Sequence, residues 1–244
     1  MSRPPRFFIS PDQVSGSRIT VTDEDVRHIA TVLRMKTGDE LLLCDGQGTE
    51  YTVRIAEISR ARIETEIVGR LNQESRYPRI TLGQGLPKSD KMDWIVQKAT
   101  ELGVTAIAPL VTERTIVKIR DEQKRAVRWQ KIAKEAAMQS NRPDIPQIER
   151  IRSFRDFIFS LDPDPSTLFL FPWEEGTEPF RNVLRQKSGV MNIVVLIGPE
   201  GGFSSSEAEA AKGRGFHLVS LGPNILRTET AAIAALSMIG YEYS

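Results

Sequence analysis

Over the first 72 residues, apolar and polar positions alternate in short runs bounded by turn residues. This predicts strands at 6–9, 17–21, 40–44, 50–58 and 62–68. Asp45-Gly46-Gln47-Gly48 lies between two of these runs and reads as a hairpin turn. Thr22-Asp23-Glu24-Asp25 offers a capped start for one helix running through Leu33. From Arg79 onward the period changes. Apolar runs at 80–86, 106–111, 147–151, 167–171, 192–197 and 217–221 alternate with helical segments at 91–102, 121–140, 153–160, 179–186, 204–214 and 228–241. That alternation predicts an α/β unit with a parallel sheet covered by helices on both faces. The polar stretch 72–78, ending in proline, is the expected linker between a small, mostly β unit at 1–72 and the α/β unit at 73–244. In open parallel sheets ligands sit outside the carboxyl ends of the strands, so the loops there are where chemistry is to be sought.

Composition narrows the class. A chain of 244 residues that is 40% hydrophobic and 27% charged is globular rather than disordered. Its longest uncharged helical stretch, 230–241, is well short of the roughly 20 apolar residues of a membrane span, and MSRPPRFF at the start has no apolar core of a signal peptide. The expectation is a cytoplasmic protein with no membrane partner. Cys44 alone, with His28 and His217, cannot assemble a structural zinc site, so no metal is expected. Charge is uneven: residues 76–155 hold 17 Lys+Arg against 9 Asp+Glu, whereas 156–244 hold 6 against 11. A basic middle suits a polyanion-binding surface, and a solvated helix face with unmatched lysines accounts for it equally well.

Three loops carry candidate chemistry. In Ile197-Gly198-Pro199-Glu200-Gly201-Gly202-Phe203-Ser204, a buried strand ends in a glycine-rich turn that lets backbone approach a ligand, and Ser204 with Glu207 forms a capping box for the next helix. A plain strand-to-helix turn would look the same. Neither GxGxxG nor GxxxxGK[ST] occurs, so any cofactor is held differently from the common nucleotides. The second loop, Leu221-Gly222-Pro223-Asn224-Ile225-Leu226-Arg227, leads into an Ala-rich helix that is apolar nearly all round, as a subunit interface or a core helix would be. Arg227 stands where the helix dipole disfavours a cation, which points to a ligand rather than to helix stability. The third, Leu170-Phe171-Pro172-Trp173-Glu174, offers flat apolar surface for a ring, though core packing is the commoner fate of such residues. Upstream, Lys88 and Lys91 sit at another strand-to-helix junction. Lys124, Arg128 and Lys131 recur as one helical stripe that closes on Gln139-Ser140-Asn141-Arg142.

The segments LGQGLPKSDKMDWIVQKATELGV (82–104), LIGPEGGFSSSE (196–207) and LGPNILRTETA (221–231), with HIATVLR (28–34), closely resemble the RsmE family of SPOUT-class enzymes, which methylate N3 of a uridine in small-subunit ribosomal RNA. The resemblance covers nearly the whole chain. It implies a PUA-like RNA-binding β-barrel at the N-terminus, a SPOUT domain with a trefoil knot, and a homodimer. It also implies S-adenosylmethionine as cofactor, held by Leu170 and Phe171, by Gly198, Pro199, Glu200, Gly201 and Gly202, and by Leu221, Gly222, Ile225 and Leu226. Asn141 replaces the glycine usual in the family's Gln-Ser-Gly-Arg motif, leaving Gln139 and Arg142 in place.

Uracil N3 must lose its proton before it can attack a methyl group, which calls for a base or for a cation that stabilises charge developing on the ring carbonyls. Arg227 is the expected cation; Glu229 serves as base or as a helix-dipole residue. The expected RNA contacts are Arg34, Lys88, Lys91, Lys124, Arg128, Lys131, Gln139 and Arg142, with 16S ribosomal RNA in the small subunit as partner. Two other readings are a non-catalytic RNA-binding ribosome-assembly protein and a SPOUT methyltransferase with another RNA target.

Overall fold

The computed structural model describes residues 4–72, 78–117, 121–186 and 189–243. It divides into two compact units, Met1–Glu74 with Ala137–Ile145, and Ser75–Ala136 with Pro146–Ser244. Most of the expected linker at 72–78 lies outside the described residues.

In the first unit, β1 (Arg6–Phe8), β2 (Val14–Ser15), β3 (Arg18–Val21), β4 (Glu40–Cys44), β5 (Thr49–Ile58) and β6 (Ile63–Asn72) form one sheet in the order β1-β4-β5-β6-β3-β2. Only β1 and β4 pair in parallel. The expected hairpin is present: Cys44 pairs with Glu50, and Asp45 Oδ1 accepts the amides of Gln47 at 2.8 Å and Thr49 at 3.0 Å. Register shifts at Thr52/Val53 and Ile55/Glu57 bend the long β5–β6 ribbon around a core that includes Phe7, Ile19, Leu41, Val53 and Ile63.

The helix expected through Leu33 is present as continuous helical backbone over residues 24–32 with Leu33 as its C-cap, although its winding changes along the way. Asp23 adopts φ 62 and caps no amide; its carboxylate accepts the Thr22 hydroxyl at 2.8 Å instead. The helix begins as one α-turn, α1 (Glu24–Arg27), and continues directly as π-helix over His28–Val32, leaving Ile29 buried and Val32 exposed.

Residues 137–145 join this unit through specific contacts. Arg6, 8% exposed, donates to the Asn141 carbonyl and pairs with Glu50, while Phe8, Cys44 and Ala137 form a small core of their own. Burial pushes the Cys44 thiol up to about 12, so it stays protonated and is no nucleophile.

In the second unit the chain runs β7 (Arg79–Gly85), α2 (Lys91–Glu101), β8 (Ala106–Val111), α3 (Glu122–Gln139), β9 (Gln147–Ile148), β10 (Arg152–Ser153), α4 (Phe154–Ser160), β11 (Thr167–Pro172), β12 (Glu178–Pro179), α5 (Phe180–Gln186), β13 (Asn192–Ile197), α6 (Ser205–Gly213), β14 (His217–Ser220) and α7 (Thr228–Tyr243). The sheet order is β10-β8-β7-β13-β11-β14-β12, with β9 also on β8, and every pairing is parallel. The α/β expectation is met. The run at 147–151 pairs only over Gln147–Ile148, and the two-residue strands β10 and β12 carry no hydrophobic run to announce them. β7 and β13 lie at the centre, buried on both faces as near-continuous apolar runs must be. A cluster including Leu110, Phe154, Phe171, Leu196 and Phe203 fills one side. No described helix is long and apolar enough to cross a membrane.

Candidate functional site

The central strands β13, β11 and β14 end side by side, and the loops that follow them enclose a cleft of about 410 Å³. Its wall is built from Pro172 at the end of β11 with Trp173 and Glu174 after it, from Gly198, Pro199, Glu200 and Gly202 after β13, and from Leu221, Gly222, Ile225, Leu226 and Arg227 after β14, with Lys91 of α2 at the rim. That volume suits a small ligand.

Each loop is pinned by bonds legible in part from sequence. The Gly202 amide donates to the Pro199 carbonyl at 2.9 Å, closing the glycine loop on itself with Gly202 at φ 67. The capping box forms as expected: the Glu207 amide donates to Ser204 Oγ at 3.2 Å and the Ser204 amide to Glu207 Oε2 at 2.9 Å. Glu207 does more, since its other oxygen accepts the Glu113 amide at 2.9 Å and so draws the β8–α3 loop onto the glycine loop. Arg114 adds a bond to the Gly201 carbonyl at 2.8 Å. Ser206 donates to Glu113 at 2.8 Å, and the hydroxyls of Ser204 and Ser206 hold the Glu113 carboxyl below its ordinary range.

Across the cleft, the Thr228 hydroxyl donates to the Gly198 carbonyl at 2.5 Å. Neither Thr228 nor Gln84, which donates to it at 2.9 Å, stood out in the sequence, because their partners lie far away along the chain.

The electrostatic centre is Lys91. Its ammonium lies 3.1 Å from Glu200 and 3.4 Å from Glu229, tying the first turn of α2 to the glycine loop and to the first turn of α7. Lys91, expected to contact RNA, is thus also a rim residue of the cleft. Glu200 additionally accepts the Lys88 amide at 3.0 and 3.2 Å. Arg227 lines the same cleft, is exposed, and has no ion-pair partner among the described residues.

Of the residues expected to hold a cofactor, Gly198, Pro199, Glu200, Gly202, Leu221, Gly222, Ile225 and Leu226 meet in this cleft. Gly201 stands behind it against Arg114, and Leu170 and Phe171 are wholly buried in β11 below the rim residues Pro172 and Trp173. Arg34, Lys88, Lys124, Lys131 and Gln139 are exposed. Arg128 is engaged by Asp93 of α2, and Arg142 pairs with Asp144 at 2.5 Å. Asn141 sits at φ 60, a left-handed helix terminus that asparagine tolerates nearly as glycine does, and the Arg142 amide reaches back to the Ala137 carbonyl at 2.9 Å. The departure from the family pattern therefore preserves the turn. Among the described residues no group of acidic, histidine or cysteine side chains could hold a metal ion.

Comparison with known proteins agrees with this architecture. A family model described as an RNA methyltransferase domain matches residues 73–240, and one described as an RNA methyltransferase PUA domain matches 21–68. The chain is 33% identical to ribosomal RNA small subunit methyltransferase E of Bacillus subtilis, over 97% of this chain and 96% of that protein. It is also 33% identical to the enzyme of the same name from Synechocystis, over 96% and 76%. Among solved structures, ribosomal RNA small subunit methyltransferase E from Neisseria gonorrhoeae bound to S-adenosyl methionine superposes with a TM-score of 0.82 at 34% identity, covering 96% of each chain. A Legionella pneumophila protein in complex with the cofactor SAM gives 0.82 at 32% identity, covering 98% and 97%. With a glycine-loop cleft at the carboxyl edge of a parallel sheet and these matches along nearly its full length, the chain belongs to the ribosomal RNA small subunit methyltransferase E family.

Proposed function

We propose that this protein transfers a methyl group from S-adenosylmethionine to N3 of a uridine in 16S ribosomal RNA of the small subunit, acting in the cytoplasm as a homodimer with a trefoil knot in its second unit. The observation that carries the reading is the convergence of the glycine loop, the loop after β14 and Trp173 on one cleft. Its chemistry fits the cofactor. Trp173, Leu221, Ile225 and Leu226 give flat apolar surface for an adenine ring, and Glu174 and Glu200 are carboxylates for the cationic parts of the molecule. Bound there, S-adenosylmethionine supplies an electrophilic methyl carbon.

The chain's own residues do the rest. The loops hold the acceptor base in line with that carbon and keep water away, which is the main demand of a displacement. Arg227, free of any carboxylate partner among the described residues, is available to stabilise negative charge on the uracil carbonyls as N3 is deprotonated. Glu229 is the base in this reading; it stands just behind the residues that line the cleft, with one oxygen buried without a hydrogen bond and 3.4 Å from the Lys91 ammonium. Arg34, Lys88, Lys91, Lys124, Arg128, Lys131, Gln139 and Arg142 contact the RNA. Dimerisation is supported by α7 and its neighbour α2, which pack together yet leave Trp94, Met238 and Tyr241 exposed. The deciding experiment incubates the protein with labelled cofactor and small subunits or naked ribosomal RNA lacking the modification, then maps the product. Label on uridine N3 is expected. Label on another position overturns the N3 assignment, and binding without transfer favours a non-catalytic assembly protein.

A further inference from the structure

Gln84 occupies a place where an apolar residue is the rule. It stands near the carboxyl end of β7, opposite Ile197 of β13 and Pro109 of β8, and is 0% exposed. A primary amide in the middle of a parallel sheet is a liability unless its polar groups are met. Only half of this one is. Nε2 donates to the Gly85 carbonyl and to Thr228 Oγ1, each at 2.9 Å, and stands 3.5 Å from the Gly198 carbonyl; Oε1 is buried with no partner. Leucine or methionine would fill the same volume and orphan nothing, so packing alone does not account for glutamine here.

Its bonds account for it. Thr228, itself buried, passes its hydroxyl hydrogen on to the Gly198 carbonyl at 2.5 Å. The Gly198–Pro199 peptide has no N–H, so its carbonyl is the only backbone polar group through which its orientation can be set. We propose that Gln84 is a positioning residue of the cleft. Through Thr228 it fixes the Gly198–Pro199 peptide against the first turn of α7, and so sets the spacing between the glycine loop and the Arg227–Glu229 segment. The inference rests on the cofactor reading above.

The test measures S-adenosylmethionine affinity by calorimetry, melting temperature, and methylation rate at saturating cofactor and RNA for Gln84→Met, Thr228→Val, Thr228→Ser and the Gln84→Met/Thr228→Val pair. If one relay is at work, Gln84→Met and Thr228→Val each weaken cofactor binding about tenfold. The pair is then no worse than the stronger single change, and Thr228→Ser, which keeps the hydroxyl, binds as the wild type does. The melting temperature of Gln84→Met holds or rises, because the orphaned oxygen is gone, while its saturated rate falls. Wild-type affinity and rate in a folded Gln84→Met, or losses that add in the pair, overturn the proposal. Should Gln84→Met fail to fold, Thr228→Val decides alone, wild-type affinity overturning it. A wild-type protein that binds no cofactor refutes the cofactor reading itself, an outcome distinct from unaffected variants.

Discussion

The Lys91 ammonium lies 3.1 Å from Glu200 Oε1, a pairing that joins α2 to the glycine loop at the rim of the cleft. Its hydrogen bond to Glu200, assisted by Glu229, raises the Lys91 pKa above the ordinary lysine value against a smaller opposing effect of burial. For Glu200, burial is the largest single influence and pulls its carboxyl upward. Together its own amide, Lys91 and the Lys88 amide outweigh that pull and hold it below the usual carboxylate range.

These directions fix a pH window. Lys91 has a folded pKa above its unfolded one, so its contribution is complete below the unfolded lysine value and is lost as pH rises through the folded value. Glu200 is the reverse: its contribution is complete above the ordinary carboxylate value and is lost as pH falls through the lowered one. The bridge's contribution to stability is therefore expected to be flat from roughly pH 6 to 9, which melting temperatures across pH check. Lys91→Met removes the bridge that holds the glycine loop and the start of α7 against α2, and the displaced loop should weaken cofactor binding several-fold, which titration calorimetry checks. Unchanged affinity in that variant would show that the bridge only decorates the rim.

The glycines of the cleft wall and of the strand beside it separate by cause. A Cβ on Gly85 would lie 2.6 Å from both Cδ and N of Pro199, and one on Gly198 would lie 3.0 Å from the Gly202 carbonyl carbon. At Gly198 the obstruction comes from the loop's own backbone rather than from a ligand. At Gly222 nothing lies within 4 Å, and its φ of 137 is the only constraint. Gly85→Ala should thus cost about 1–3 kcal/mol by overpacking and displace the glycine loop. Gly222→Ala should cost about 1–2 kcal/mol through backbone strain alone. Thermal melting paired with cofactor titration distinguishes them: equal effects on both readouts would contradict this division.

What the sequence discloses follows the range of the interactions. The Ser204–Glu207 box and the hairpin over Asp45–Gly48 lie within a few residues of themselves, and both form as their patterns require. The bond from Gln84 to Thr228 spans 144 positions and that from Arg6 to Asn141 spans 135, so no local window contains them. The helix expected through Leu33 forms as far as Val32, but without the Asp23 cap and with its second half wound as π-helix, neither of which a capping pattern encodes. Glycine spacing pointed to the loops that form the cleft, but not to which glycines line it, because that depends on where Pro199 and Gly202 come to rest.

Helix α7 buries Ala232, Ala235, Leu236 and Ile239 within its own unit, which uses one side of an almost wholly apolar helix, and Tyr241 remains 83% exposed. Met238→Glu or Tyr241→Glu should therefore weaken a homodimer while leaving the fold intact. Sedimentation checks this; a wild-type monomer at micromolar concentration refutes the dimer outright.

Arg227→Ala should lower the methylation rate at saturating RNA and cofactor about a hundredfold, the loss expected when one preorganised donor to developing charge is removed. Its effect on cofactor affinity should be small. A change confined to apparent RNA affinity would make Arg227 a docking residue and shift the chemistry to Glu229.

The basic stripe of α3 is not uniform, and that makes its RNA role testable in detail. Lys124 and Lys131 are exposed, and neither has an ion-pair partner among the described residues, whereas Arg128 is engaged by Asp93, which also accepts the Trp129 indole N–H at 3.1 Å. A phosphate reaching Arg128 must compete with that carboxylate; at Lys124 and Lys131 it displaces only counterions. Removing one lysine–phosphate pairing should flatten the slope of log affinity against log salt by roughly 0.7–0.9, and pairings of this kind carry no base information. Lys124→Glu and Lys131→Glu should accordingly weaken RNA binding across sequences and flatten its salt dependence. Arg128→Ala should change that slope less, and should lower the melting temperature by releasing Asp93 from its partner on α3. Cofactor affinity should not move in any of them. A salt slope that responds to Arg128→Ala more than to Lys124→Glu would mean that RNA pulls Arg128 away from Asp93, and the α2–α3 ion pair would then be a switch rather than a brace.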